Sequence, residues 1–289
     1  MRLLDPSIDY VFKVLFKDPD DEPRLIAMLT AILEPAVPIV AVRVLNPEIP
    51  PDVATAKSIV LDLRVEFRDG RQLFAEMETW PRASFPGRFL FSWARLHVQQ
   101  LDRGEHYTRL QPTIGIAWIA GDGRFERIAG SRVGHVHSRY RINEVTTGRE
   151  LTDHLDLHLL ELPKRRSDST LSESLGRWAR FFDHPSETEL RELAREDEVM
   201  AETVKKLERV SADEIHFQNA EARRMGEWRD RYEKTFERDE GKAEGRAEGE
   251  SAKLRELVRS MLANGVTRDV VARIAGISSD QVDALASDD

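Results

Sequence analysis

Apolar residues recur at helical spacing in two stretches near the N-terminus. Ile8, Val11, Phe12, Leu15 and Phe16 share one face of a helix that Asp5 would cap and Pro6 would open. After a loop rich in Pro and Asp (residues 17–23), Leu25, Ile26, Leu29, Ile32 and Leu33 form a second stripe. The period then changes. Residues 37–45 read as a strand, and the proline-rich residues 46–52 as an exposed connection.

From residue 61 the pattern alternates. Leu61, Leu63, Val65 and Phe67 are separated by Asp62, Arg64 and Glu66. Beyond Arg68-Asp69-Gly70, Leu73, Ala75 and Met77 are separated by Phe74 and Glu76, flanked by Gln72 and Glu78. This predicts a hairpin. A two-residue turn would pair Arg68 with Arg71 and put each strand's apolar residues beside the other's polar ones. A three-residue loop with Gly70 left-handed pairs Phe67 with Arg71 and gathers the apolar residues on one face. That register sets Asp62 opposite Glu76, with Glu78 further along the same face.

Residues 86–101 predict a long helix with Phe89, Leu90, Trp93, Leu96, His97 and Leu101 inward and Gly104 closing it. Residues 112–120 are almost continuously apolar, as in a strand buried on both faces. Residues 132–142 and 155–162 are further strand candidates, so a mixed α/β core ends near Pro163. Helices follow at 171–182, at 186–210 (opened by a Ser186/Glu189 capping box) and at 211–238. A Glu-Gly repeat over residues 240–251 is either a loose linker or a helix with a glycine stripe open to close approach by another chain. Residues 253–285 form a terminal helical module. The expected segments are 1–165, 166–238, 239–252 and 253–289.

Composition narrows the classes. With no cysteine there is no disulfide, thiolate zinc site or cysteine nucleophile. The apolar runs are strand-sized, and the N-terminus is acidic where a leader would be basic, so a cytoplasmic protein with no membrane partner is expected. The net charge of −9 hides an asymmetry, because residues 80–145 hold ten arginines, no lysine and five acids. Arginine forks match phosphate oxygens, although a merely solvated basic surface reads the same way.

Two carboxylates on adjacent strands, Asp62 and Glu76, are what a magnesium ion takes from a protein before water and substrate phosphate complete its shell. A solvated antiparallel face of alternating acids and arginines has the same spacing. His135 and His137 alternate in a strand but lack a third ligand, so they read as surface histidines. Ala272, Gly276 and Val282 match helix-turn-helix spacing. The last helix carries Asp280, Asp283, Asp288 and Asp289 and no base, which favours a packing or oligomerisation module over a DNA reader.

Several blocks stand in one order: Asp5-Pro-Ser-Ile-Asp9-Tyr-Val-Phe-Lys13, Leu45-Asn-Pro-Glu-Ile-Pro, Leu61-Asp62-Leu, Ala75-Glu76-Met, Trp93-Ala-Arg-Leu with Gln100 after it, and Leu151-Thr-Asp-His-Leu with Glu161-Leu-Pro-Lys. In these the chain resembles the Rpn family of recombination-promoting nucleases, also described as transposases, of the PD-(D/E)XK superfamily. The resemblance runs from about Leu4 past Trp178. It implies a restriction-endonuclease-like mixed sheet flanked by helices, with an all-helical C-terminal extension. It also implies a DNA endonuclease dependent on Mg2+ or Mn2+. By this resemblance Asp62 and Glu76 match the superfamily's two metal-binding acids, Asp9 and Lys13 its N-terminal helix block, and Gln100 a glutamine facing the same cleft. Glu78 stands where the superfamily has Lys and this family often Gln. It is either a further metal ligand or a lesion that leaves an inactive DNA- or protein-binding member. Arg64, Arg82, Arg88 and Arg95 are the expected DNA contacts, and the C-terminal helices the expected route to a homo-oligomer.

Overall fold

The computed structural model describes residues 3–49, 59–121 and 134–287. They form two compact units, Met1–Arg224 and Met225–Asp289. In the first, helices α1 (Asp9–Phe16) and α2 (Glu22–Leu33) precede a six-stranded sheet. Its strands are β1 (Val42–Leu45), β4 (Leu63–Phe67), β5 (Gln72–Glu78), β6 (Thr113–Ile119), β8 (Glu150–Glu161) and β7 (His137–Asn143), in that spatial order. The pairs β5–β6 and β6–β8 are parallel, and the others antiparallel. A two-stranded ribbon of β2 (Glu48–Ile49) and β3 (Ile59–Val60) accompanies it. Helix α3 (Phe85–Val98) carries the chain from β5 to β6, as a parallel pair requires.

Both faces of the sheet are covered, which is why β6 is buried along its whole length. On one face Val65, Leu73, Ala75, Ile116 and Trp118 pack against α1, α2 and α4 (Glu173–Phe182). Phe182 makes ring contacts there with Phe12 at 5.6 Å and Trp118 at 4.8 Å. On the other face Phe74, Ala117 and Ile119 pack against Phe85, Phe89 and Leu96 of α3. Gly115 is a tight point of this layer. A Cβ there would lie 2.8 Å from both the Phe74 ring and Leu157.

The hairpin register is the odd-loop one. Phe67 N donates to Arg71 O, Gly70 N to Phe67 O, and Gly70 has φ +87°. Other elements depart from expectation. Helix α1 starts at Asp9, because Asp5 Oδ1 accepts from Ser7 N and Oγ and closes a turn ahead of the helix. The strand expected over 37–45 begins only at Val42, with Val37 and Val40 exposed. The connection expected to be exposed includes β2, whose Ile49 is fully buried. Helix α3 ends at Val98, Leu90 points outward, and Gly104 (φ +93°) belongs to a later turn. The helix expected over 186–210 is two, α5 (Glu187–Glu196) and α6 (Glu198–Ala212), broken at Asp197. Its backbone is extended and its carboxylate caps the Met200 amide. The capping box of Ser186 and Glu189 is present.

Helix α7 (Glu214–Ala263) includes the Glu-Gly repeat. In the second unit α8 (Arg268–Ala275) and α9 (Ser279–Ser287) close with the end of α7 over Val258, Val271, Ala272 and Val282. Gly276 makes their turn at φ +67°, and Ile277 N donates to Ala272 O. Among the described residues no helix is long and apolar enough to cross a membrane.

Candidate active site

The alternation that defines the hairpin breaks at Asp62. Leu63 packs with α1 and α2, whereas Leu61 packs with Phe74 and α3, so the two leucines expected on one face lie on opposite faces. Asp62 is the bend between them. Regular pairing ends at Leu63–Ala75, and the next amide in the ladder, Met77 N, donates to Asp62 Oδ2 at 2.8 Å. The carboxylate thus takes over a role that strand backbone would have had. Lys13, one turn into α1, places Nζ 2.9 Å from Asp62 Oδ1.

Glu76 and Glu78 are two apart on β5 and share its other face. That face is not the solvated one that spacing alone allows. Helix α3 lies over it, and Glu76 is only 4% exposed. The helix presents Arg88, Ser92 and Arg95 at helical spacing. Arg88 donates through Nη1 to Glu76 Oε2 at 3.0 Å and through Nη2 to Glu78 Oε2. Ser92 Oγ lies 3.4 Å from Glu76 Oε1, a long and weak contact.

The electrostatics follow from burial. Desolvation lifts the Glu76 carboxyl to about 7 against the pull of Arg88, and the charges of Asp62 and Glu78 push it further. Burial also raises Glu78 and Asp62, with Arg88 and Lys13 respectively as the main opposing charges. Asp9 adds to the upward push on Asp62. Its own carboxylate receives Arg223 from α7 through Nε at 2.9 Å and Nη2 at 2.6 Å. Asp9 and Lys13 are therefore not a helix-internal pair, since each is engaged by a different element.

Five expected site residues are linked by contact or charge: Lys13 pairs with Asp62, Arg88 joins Glu76 to Glu78, and Asp62 feels the charge of Asp9 and is felt at both glutamates. Gln100 does not join them. It donates to Gln111 O and Thr113 Oγ1 and accepts from Gln111 N, at the start of β6. Thr113 pairs with Gln72, four residues and about 13 Å of strand from Glu76. Of the expected DNA contacts, Arg88 and Arg95 lie on α3, and Arg82 is exposed with its charge felt at Glu78. Arg64 is half-buried on β4, where burial lowers its proton affinity.

The wider arginine stretch is less free than its count implies. Arg109 pairs with Glu105, Arg139 with Asp156 and Arg141 with Glu150. Two of these partner acids, Asp156 and Glu150, come from β8, beyond the arginine-rich stretch. Arg124, Arg127 and Arg132 lie outside the described residues. His135 and His137 do not share a ligand. His135 contacts Asp168 and Thr170, while His137 Nε2 lies 2.8 Å from Nδ1 of buried His158. Burial, His158 and Arg139 hold the His137 ring down to about 4.

Arg223, Ser92 and the Met77 amide carry no sequence signal. Arg223 lies 214 residues from Asp9, and nothing in local spacing points across that distance.

The donor set suits a hard divalent cation. Every candidate ligand is a carboxylate oxygen, and burial makes each of the three acids costly to ionise, a cost that a bound cation would offset. Among the described residues no group of three or more carboxylate or imidazole side chains is gathered to hold an ion unaided. Magnesium needs only one or two carboxylates, with waters and substrate phosphate filling its remaining positions.

A family model described as PD-(D/E)XK nuclease family transposase matches residues 6–235. No curated protein and no solved structure matches the chain.

Proposed function

This chain belongs to the PD-(D/E)XK nuclease family transposases, and from that premise we propose that it is a metal-dependent DNA endonuclease. The observation that carries the reading is the meeting of Asp62, Glu76 and Glu78, from the hairpin bend and β5, with Lys13 of α1 and Arg88 of α3. Asp62 and Glu76 would hold Mg2+ or Mn2+, with Glu78 as a third carboxylate. The ion, when bound, activates water and offsets charge on the scissile phosphate.

The chain's own residues prepare that site. Two contacts orient the Asp62 carboxylate, the Met77 amide on one oxygen and Lys13 on the other. Lys13 also supplies a positive charge that the superfamily takes from the position occupied here by Glu78. Arg88 on the carboxylates and Arg82, whose charge reaches Glu78, suit phosphate recognition, with Arg95 further along α3. The C-terminal helices are the proposed route to a homo-oligomer.

The test is plasmid nicking by the purified chain with Mg2+ and Mn2+ compared. Cleavage should need the ion and disappear in Asp62→Ala while thermal unfolding stays cooperative. One observation favours a second reading, a DNA- or protein-binding member without activity: Glu78 adds negative charge where a lysine is usual. Salt-sensitive duplex binding without metal-dependent cleavage would support it.

A further inference from the structure

Resting on the nuclease reading, we infer that Arg88 is an exchangeable counter-ion. It neutralises Glu76 and Glu78 while no divalent cation is present, and transfers to a backbone phosphate when DNA arrives. DNA and metal then bind more tightly together than either does alone.

The geometry is specific to this side chain. One guanidinium spans two carboxylates on alternate residues of one strand, Nη1 on Glu76 and Nη2 on Glu78. Its Cζ also lies 5.4 Å from the centre of the Phe85 ring. The two acids are sheltered, with side chains 5% and 19% exposed, whereas Arg88 is 52% exposed. The buried members of the cluster therefore depend on a cation that stands at the surface. A buried carboxylate without a counter-charge is strongly disfavoured. For Glu76, Ser92 at 3.4 Å does not replace the bond and Lys13 is engaged by Asp62, while Glu78 has further support from the Trp80 backbone and the charge of Arg82.

Arginine does not lose its proton in proteins, so Arg88 leaves these acids only by exchange. A divalent ion on Glu76 provides one half of that exchange, because the acids no longer need the guanidinium. A phosphodiester provides the other half, since its two free oxygens offer the bidentate seat that the two carboxylates offered. Each ligand makes Arg88 easier to release for the other, and linkage requires that the benefit be equal in both directions.

The test is Mn2+ titration by calorimetry on the full chain, wild type and Arg88→Met, each with and without a short phosphorothioate duplex that resists cleavage. In the wild type the duplex should tighten Mn2+ binding about 10-fold, and Mn2+ should tighten duplex binding by the same factor. Arg88→Met should bind Mn2+ about 10-fold more tightly than wild type without DNA, and the duplex should add little. Arg88→Lys keeps the charge but lacks the fork, so it should fall between the two and serves if the methionine variant fails to fold. Equal Mn2+ affinity in wild type and variants, or weaker binding in the variants, would overturn the exchange and make Arg88 a fixed clamp. Duplex-induced tightening that survives without Arg88 would overturn it as well. Absence of Mn2+ binding in every protein, duplex present or not, would instead remove the nuclease reading, and the exchange with it.

Discussion

Lys13 and Asp62, 49 positions apart in sequence, meet with Nζ 2.9 Å from Oδ1 and tie the first helix to the bend that opens the hairpin. Breaking this pair leaves a sheltered carboxylate without its nearest positive charge. Lys13→Met should lower metal-dependent nicking on the order of 100-fold, with Lys13→Arg retaining part of it. Nicking at the wild-type rate in Lys13→Met would show that the pair is only structural.

Glu78 separates two outcomes of opposite sign. As a metal ligand, its conversion in Glu78→Gln should weaken Mn2+ affinity and slow cleavage. As a lesion, the same near-isosteric change removes a negative charge beside the phosphate and restores the family's glutamine, so cleavage should rise. The ligand outcome is expected, because Glu78 shares Arg88 with Glu76 and stands on the same face. Faster cleavage in Glu78→Gln would reverse that assignment.

The Glu76 carboxyl, lifted from 4.5 to about 7, makes metal-free stability depend on pH. Between those values the folded state keeps a proton that the unfolded chain has lost, so stability falls as pH rises through the window. Urea midpoints of metal-free protein should decline from pH 5 to 7 more steeply in wild type than in Glu76→Gln. Parallel profiles would show that Glu76 stays ionised throughout.

Gly115 tests the packing that brings α3 over the acids. Gly115→Ala puts a methyl group 2.8 Å from the Phe74 ring and from Leu157, both inside the sheet layer. Overpacking of this kind costs about 1–3 kcal/mol. A chemical denaturation midpoint equal to that of wild type would mean the layer yields more easily than its burial implies.

Removal of residues 240–289 takes away the end of α7 together with α8 and α9. Mass in solution should fall while affinity for short duplex DNA changes little, because α9 carries acids and no base. Unchanged mass with a large loss of DNA affinity would place these helices in the DNA site.

Much of the fold was legible because its determinants are local. Alternation through residues 61–78 specified the hairpin, and the parity of its loop specified the register, since a slip of one residue would have turned the apolar set to the wrong face. The continuous apolar run at 112–120 announced a strand covered on both sides. Element ends were read less well. Asp5 reads as a helix cap and Asp197 as a position inside one continuous helix, but only contacts made in the folded chain decide whether such a residue opens a helix, closes a turn or divides one helix into two.

For the candidate site, alternation alone put Asp62 and Glu76 at the open end of one hairpin, and the order of blocks along the chain related Asp9, Lys13 and Glu78 to them. Tertiary structure decided the rest. It bent the strand at Asp62, covered Glu76 with α3, brought Arg88 onto two carboxylates and Arg223 onto Asp9, and left Gln100 at the other end of the strand. The physical reason is the range of the forces involved. Backbone pairing and side-chain alternation act between neighbours and are written in spacing. Burial and charge pairing depend on which distant elements share a layer, and a carboxylate's solvation and counter-ion exist only once that layer has formed.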